Sequence, residues 1–148
     1  MDSYEEYENK SNEIRSENSG ILNAFENRLK AHGLKKDTIQ KHRTNIEFYI
    51  NEFLLYDDAT KAADGTNGVG MFLGYWFIKK AMWSNVAEIK SNATSLKKFY
   101  TFMSERGDVA SSDVEEMKTR IKEEMPEWLE TMRRYDNPSI EAEDVWQL

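Results

Sequence analysis

Apolar positions recur at helical spacing through most of the chain. Ile21, Leu22, Phe25, Leu29 and His32 share one face, and Gly33 follows them. That pattern predicts a helix from about Asn18 or Ser19 to His32, ended by a left-handed glycine. Ile39, Ile46, Tyr49, Ile50, Phe53 and Leu54 form the stripe of a second helix over 36–56, with Asp57 and Asp58 opening the loop beyond it. Val69, Met71, Phe72, Leu73, Tyr75, Trp76, Phe77 and Ile78 leave almost no polar side. A helix from about Asn67 or Gly68 to Met82 with that composition belongs in a core.

The clearest amphipathic pattern covers 84–106. Val86, Ile89, Ala93, Leu96, Phe99, Tyr100 and Met103 follow the i, i+3, i+4, i+7 rhythm. Ser84 or Asn85 can cap its start, with Glu88 placed as a capping-box partner, and Gly107 fits its end. A last stripe, Val114, Met117, Ile121, Met125, Trp128 and Met132, follows Ser112-Asp113-Val114-Glu115, a capping-box sequence. Pro126 should kink that helix or begin a new one near Glu127, and Asp136-Asn137-Pro138 ends it. No alternating strand pattern and no repeat accompany these stripes. The expectation is an all-α fold, a compact bundle of four to five helices over 19–136.

The ends read differently. Residues 1–18 are rich in Glu, Asn and Ser, which predicts a disordered acidic arm. In the other reading Tyr4, Tyr7 and Ile14 join a packed helix. Residues 137–148 read as a loose acidic tail, whose Trp146 can dock on the body or on a partner.

Charge sharpens this division. The chain of 148 residues has a net charge of −7. Residues 1–20 carry two cations and six anions, 21–104 twelve and eight, and 105–148 six and thirteen. A mildly basic body thus lies between acidic ends. On 84–106 the polar face holds Lys90, Thr94, Lys97, Lys98 and Thr101, with no carboxylate among the five. An ordinary solvated face would also carry lysines.

Candidate chemistry is sparse. The chain has no cysteine, which excludes thiol catalysis and thiolate-bound zinc. His32 and His42 lie on different predicted helices with no metal-ligand spacing, so capping or surface roles suit them. GTNGVG over 65–70 lacks the Lys-Ser/Thr ending of a phosphate loop, and no strand precedes it. It supplies turn glycines instead. The acidic start is unlike a signal peptide, and no apolar run has membrane-spanning length. No cofactor and no metal are expected, and the location expected is cytoplasmic.

Three stretches in order resemble the N-terminal core-binding, SAM-like domain of tyrosine recombinases, the phage integrase family. The first is 25–46, with Gly33-Leu34, Thr38-Ile39, Lys41 and Arg43. The second is the helix around Trp76, by position. The third is 91–108, with Ser95-Leu96-Lys97-Lys98-Phe99-Tyr100, Phe102 and Arg106-Gly107. The resemblance covers about 20–107 and implies that architecture, here with an extra acidic C-terminal helix. Lys35 stands where the family often has a capping Ser. The family's catalytic arginines, histidines and nucleophilic tyrosine belong to a C-terminal domain for which this sequence leaves no room, so the expectation is a non-enzymatic module.

In the resembled domain two helices contact double-stranded DNA. Carried over by position, the implied contacts are Lys36, Gln40, Lys41, Arg43 and Thr44 on the first, and Lys90, Thr94, Lys97, Lys98 and Thr101 on the second. Arg43 falls close to the core stripe. The function expected is DNA binding, accessory to recombination or integration. The alternative is a protein–protein adaptor that keeps the fold without DNA binding and uses Trp128, Met132 and Trp146 as anchors.

Overall fold

The computed structural model describes residues 2–146. Among them helices dominate and no strand occurs. The first helix, α1, spans Ser3–Ala31. Asp2 caps it, its side chain accepting from the Glu5 N–H at 2.8 Å. Glu5 and Glu6 in the first turn complement the helix dipole.

The expected disordered arm is therefore helical from residue 3, and no boundary falls at 18. Ser11, Ile14, Asn18, Leu22, Phe25 and Leu29 form one continuous buried stripe, with Ile14 only 1% exposed. Ser and Asn occupy two of those places, so hydropathy conceals the stripe. Asn18 Nδ2 donates to the Ile50 carbonyl at 3.3 Å and to Asn51 Oδ1 at 2.8 Å. Tyr7 donates its hydroxyl to the Leu55 carbonyl. At the other end His32 is exposed and caps α1, and Gly33 follows at φ 81°.

The second helix, α2, spans Lys36–Phe48 and continues through a π-helical turn, Tyr49–Phe53. Two short 3-10 turns, Ala62–Asp64 and Thr66–Gly68, lead onward. They are pinned from below. Tyr49 donates to the Gly65 carbonyl at 2.6 Å and Tyr100 to the Ala62 carbonyl at 2.8 Å. Burial pushes both phenols up from their ordinary pKa.

Residues 69–80 form α3, as Val69–Met71, a π-helical turn Phe72–Trp76, and Phe77–Lys80. Phe72, Leu73, Phe77 and Ile78 are buried, while Met71 and Tyr75 stay exposed. The fourth helix, α4, spans Val86–Glu105. Asn85 caps it, accepting from the Glu88 N–H at 2.8 Å, and Gly107 follows at φ 84°.

The fifth helix, α5, spans Ser111–Asp136 with Ala110 as N-cap and no side-chain cap bond. The Ser112 capping box does not form. Val109 and Val114, at the N′ and N4 places, are both buried, the arrangement of a hydrophobic staple, and they set the start. Pro126 neither ends α5 nor starts a new helix. It is exposed, so solvent can serve the carbonyl that its missing N–H leaves.

One core joins these elements. Phe25 meets Phe99 and Phe102 at 5.3 and 5.5 Å between ring centroids, tying α1 to α4. Phe48 meets Phe72 and Trp76, tying α2 to α3. Gly74 lets α5 approach α3: a Cβ there would stand 2.8 Å from Trp128.

Trp128 and Met132 are buried in that core, which removes them as surface anchors. The tail is not loose at its described end. Val145 is buried, its carbonyl accepting from Arg134 Nε at 2.7 Å. Trp146 docks on the body, donating to the Gly74 carbonyl at 2.8 Å beside Tyr75 and Tyr135. Residues 147 and 148 of the expected tail lie outside the described residues.

Candidate nucleic-acid interface

The two helices singled out by the resemblance pack against each other through a polar seam. His42 Nδ1 lies 2.7 Å from Ser95 Oγ. Asn45 Nδ2 donates to Ser95 Oγ at 2.9 Å and to Ser91 Oγ at 3.1 Å. His42 is buried, against the expected surface or capping role. Desolvation, helped by nearby Lys98, holds its pKa below the usual imidazole value. The seam fixes α2 relative to α4 by directional bonds, so side chains on the outer faces are held at defined positions.

The ten sequence-derived positions divide by what already engages them. Lys36, Lys90, Lys97 and Lys98 make no ion pair among the described residues, and only Lys97 of the four is part-buried. Lys41 is different. Its Nζ sits 2.8 Å from Glu88 on α4, so part of its charge is spent inside the protein. Arg43 is half-buried and turned to α1, bonding Asn23 Oδ1 at 3.0 Å and Glu26 Oε2 at 3.4 Å.

The hydroxyls are also committed. Thr94 donates to the Lys90 carbonyl at 3.1 Å, and Thr101 to the Lys97 carbonyl at 2.8 Å. A hydroxyl has one proton to give, so each keeps only acceptor capacity, which suits a phosphate poorly. Gln40 and Thr44 are exposed and bond each other at 3.4 Å.

A groove of about 410 Å³ gathers Lys97, Lys98 and Thr101 with residues that the helix-by-helix reading missed. Arg28 and His32 come from the last turn of α1 and its cap, and Lys118 from α5. Phe25, Leu29 and Phe102 form an apolar floor. Glu105 is the one carboxylate of the lining, and Arg28 pairs with it while lying over the Phe102 ring at 5.5 Å. Lys118 has a long ion pair to Glu115, 3.9 Å. Lys97 and Lys98 are thus the cations in the groove with unengaged charge.

The only signal for Arg28 in the sequence was its position near the end of a helix that precedes Gly33. Its neighbourhood to α4 depends on the Phe25–Phe99–Phe102 contact, which no local spacing reveals. Among the described residues no group of three His, Asp or Glu side chains is placed to hold a metal ion. No helix of the described residues is long and apolar enough to cross a membrane. No protein-family model, curated protein or solved structure matches the chain.

Proposed function

We propose that the chain is a non-catalytic helical module that binds double-stranded DNA through its phosphate backbone. The observation that carries this reading is the groove between α1, α4 and α5. Four cationic side chains from three elements converge there on one concavity, and its single lining carboxylate is already paired. Such a cluster releases counterions from a polyanion and gains most at low salt. Lys90 extends it along α4 and Lys36 adds a cation from α2. Lys41, Arg43, Thr94 and Thr101 contribute less, because their polar groups are engaged within the fold. The contact is with phosphates rather than base edges, so sequence preference is weak. A role accessory to recombination or integration draws on the resemblance of 25–46 and 91–108 alone.

Fluorescence anisotropy with a labelled duplex, from about 50 to about 200 mM salt, tests this reading. Binding should weaken steeply with salt, and Lys97→Ala/Lys98→Ala should lower the logarithmic salt slope by about 2. No binding by the wild-type chain near about 50 mM salt sinks the proposal.

A further inference from the structure

A second groove, of about 570 Å³, has the opposite chemistry. It opens between α2, α4 and the turn that joins α3 to α4. Its floor is aromatic. Trp83 meets Phe48 edge-on at 5.0 Å between centroids and Phe77 at 6.3 Å. Its rim carries three carboxylates, Glu47 from α2, Glu52 from the π-helical turn that follows it and Glu88 from α4, against one cation, Lys41 from α2. Glu88 is met by Lys41. Glu47 and Glu52 make no ion pair among the described residues.

The turn at its mouth places apolar side chains in water. Met82 is 99% exposed and Trp83 51% exposed. Single exposed apolar residues are ordinary on a protein surface. Here the exposed indole is continuous with a buried aromatic cluster, and unpaired carboxylates flank it. That combination repels a phosphate backbone. It attracts a guanidinium or ammonium group, which gains from the indole face and from the carboxylates together. Met82 adds an adaptable apolar contact.

We propose that this groove docks a cationic segment of a protein partner. An Arg or Lys of the partner packs on Trp83 with its charged head toward Glu47 and Glu52, and an apolar neighbour of that residue lies against Met82. The charge complementarity of the rim sets the sign of the occupant, and the aromatic floor sets its need for a long side chain. The site is distinct from the cationic groove between α1, α4 and α5; it shares only Lys41 and Thr44 with the ten positions implied for DNA, and docking there does not depend on DNA binding.

The full chain, labelled with nitrogen-15, should be titrated with the peptide acetyl-Leu-Arg-Leu-Arg-amide and with its citrulline counterpart, which keeps the shape and removes the charge. The arginine peptide should give saturable shifts at the Trp83 indole N–H and in residues 44–52. The citrulline peptide should bind at least about tenfold more weakly, as loss of charge-assisted contacts demands. Glu47→Gln/Glu52→Gln should abolish the difference between the peptides while keeping the wild-type melting temperature, since both side chains are exposed. Equal shifts from the two peptides, an unresponsive Trp83, or an unchanged response in the double variant would each overturn the proposal. So would sedimentation showing a dimer that the double variant dissolves, because the occupant would then be a second copy of this chain.

Discussion

His42 shows what one buried titratable side chain does to this fold. Its neutral ring shares a hydrogen bond with Ser95 at the α2–α4 seam, and burial opposes its charged form. The folded pKa therefore lies below the unfolded value of about 6.5. Above about pH 6.5 both states hold the neutral ring and its contribution is fully present. As pH falls below that value the unfolded chain takes up the proton more readily, so stability declines toward the folded pKa. Urea midpoints measured from about pH 7.5 to about pH 5.5 should fall more steeply in the wild type than in His42→Gln. Parallel profiles would show that His42 does not titrate differently on folding. Tyr100 makes a related case without charge. Tyr100→Phe removes one of two bonds to the Ala62 carbonyl, which still accepts from the Gly65 N–H at 3.1 Å, and should cost about 0.5–1.5 kcal/mol, read from the melting curve. Neither role was legible in the sequence. A histidine outside any ligand pattern reads as a surface residue, and the serine that engages it stands 53 positions away.

At the scale of elements, what was legible depended on how local the determining interaction is. The Asn85 cap joins residues three apart, and it forms as expected. The apolar stripe of α4 also appears where its spacing put it, whereas the stripe expected on one helix over 36–56 is divided, with Ile39 and Ile46 on α2, Tyr49, Ile50 and a partly buried Phe53 on the π-helical turn, and Leu54 beyond it. The start of α5 was not legible. The staple of Val109 and Val114 takes its energy from a core built by other helices, and it outweighs the Ser112 capping box. The first half of α1 was concealed for a different reason. Its buried positions include Ser11 and Asn18; the π-helical turn after α2 supplies acceptors for Asn18, while the Ser11 hydroxyl is buried without a hydrogen-bond partner among the described residues. These two helix starts give a paired test. Asn85→Ala should destabilise by about 1 kcal/mol, since it removes a formed cap bond. Ser112→Ala should stay within about 0.5 kcal/mol, since no cap bond exists to lose. Comparable losses for the two in urea denaturation would contradict the staple as the feature that starts α5.

For the whole molecule, the question is how a chain of net charge −7 can offer a cationic groove to a polyanion. The regional charge count located a basic body between acidic ends, but distance along the chain does not fix distance in space. The two long helices do. Glu5, Glu6 and Glu8 lie at the start of α1, about 30 Å along its axis from Arg28 at 1.5 Å per residue. Lys118 lies near the start of α5, and Tyr135, against which Trp146 packs, is about 26 Å further along. The acidic stretch of the tail, Glu141, Glu143 and Asp144, is held near that far end by Trp146 and Val145. At about 0.15 M ionic strength the screening length is about 8 Å, and at about 0.01 M it is about 30 Å. The tail charges should therefore be invisible to DNA in the groove at the higher salt and felt at the lower. Glu141→Gln/Glu143→Gln/Asp144→Asn should leave duplex affinity within about twofold at about 0.15 M and tighten it several-fold at about 0.01 M. Anisotropy titrations at the two salts separate the cases. An equal gain at both would mean that the tail lies across the cationic groove in solution, and that its docking against Gly74 is not the state that meets DNA.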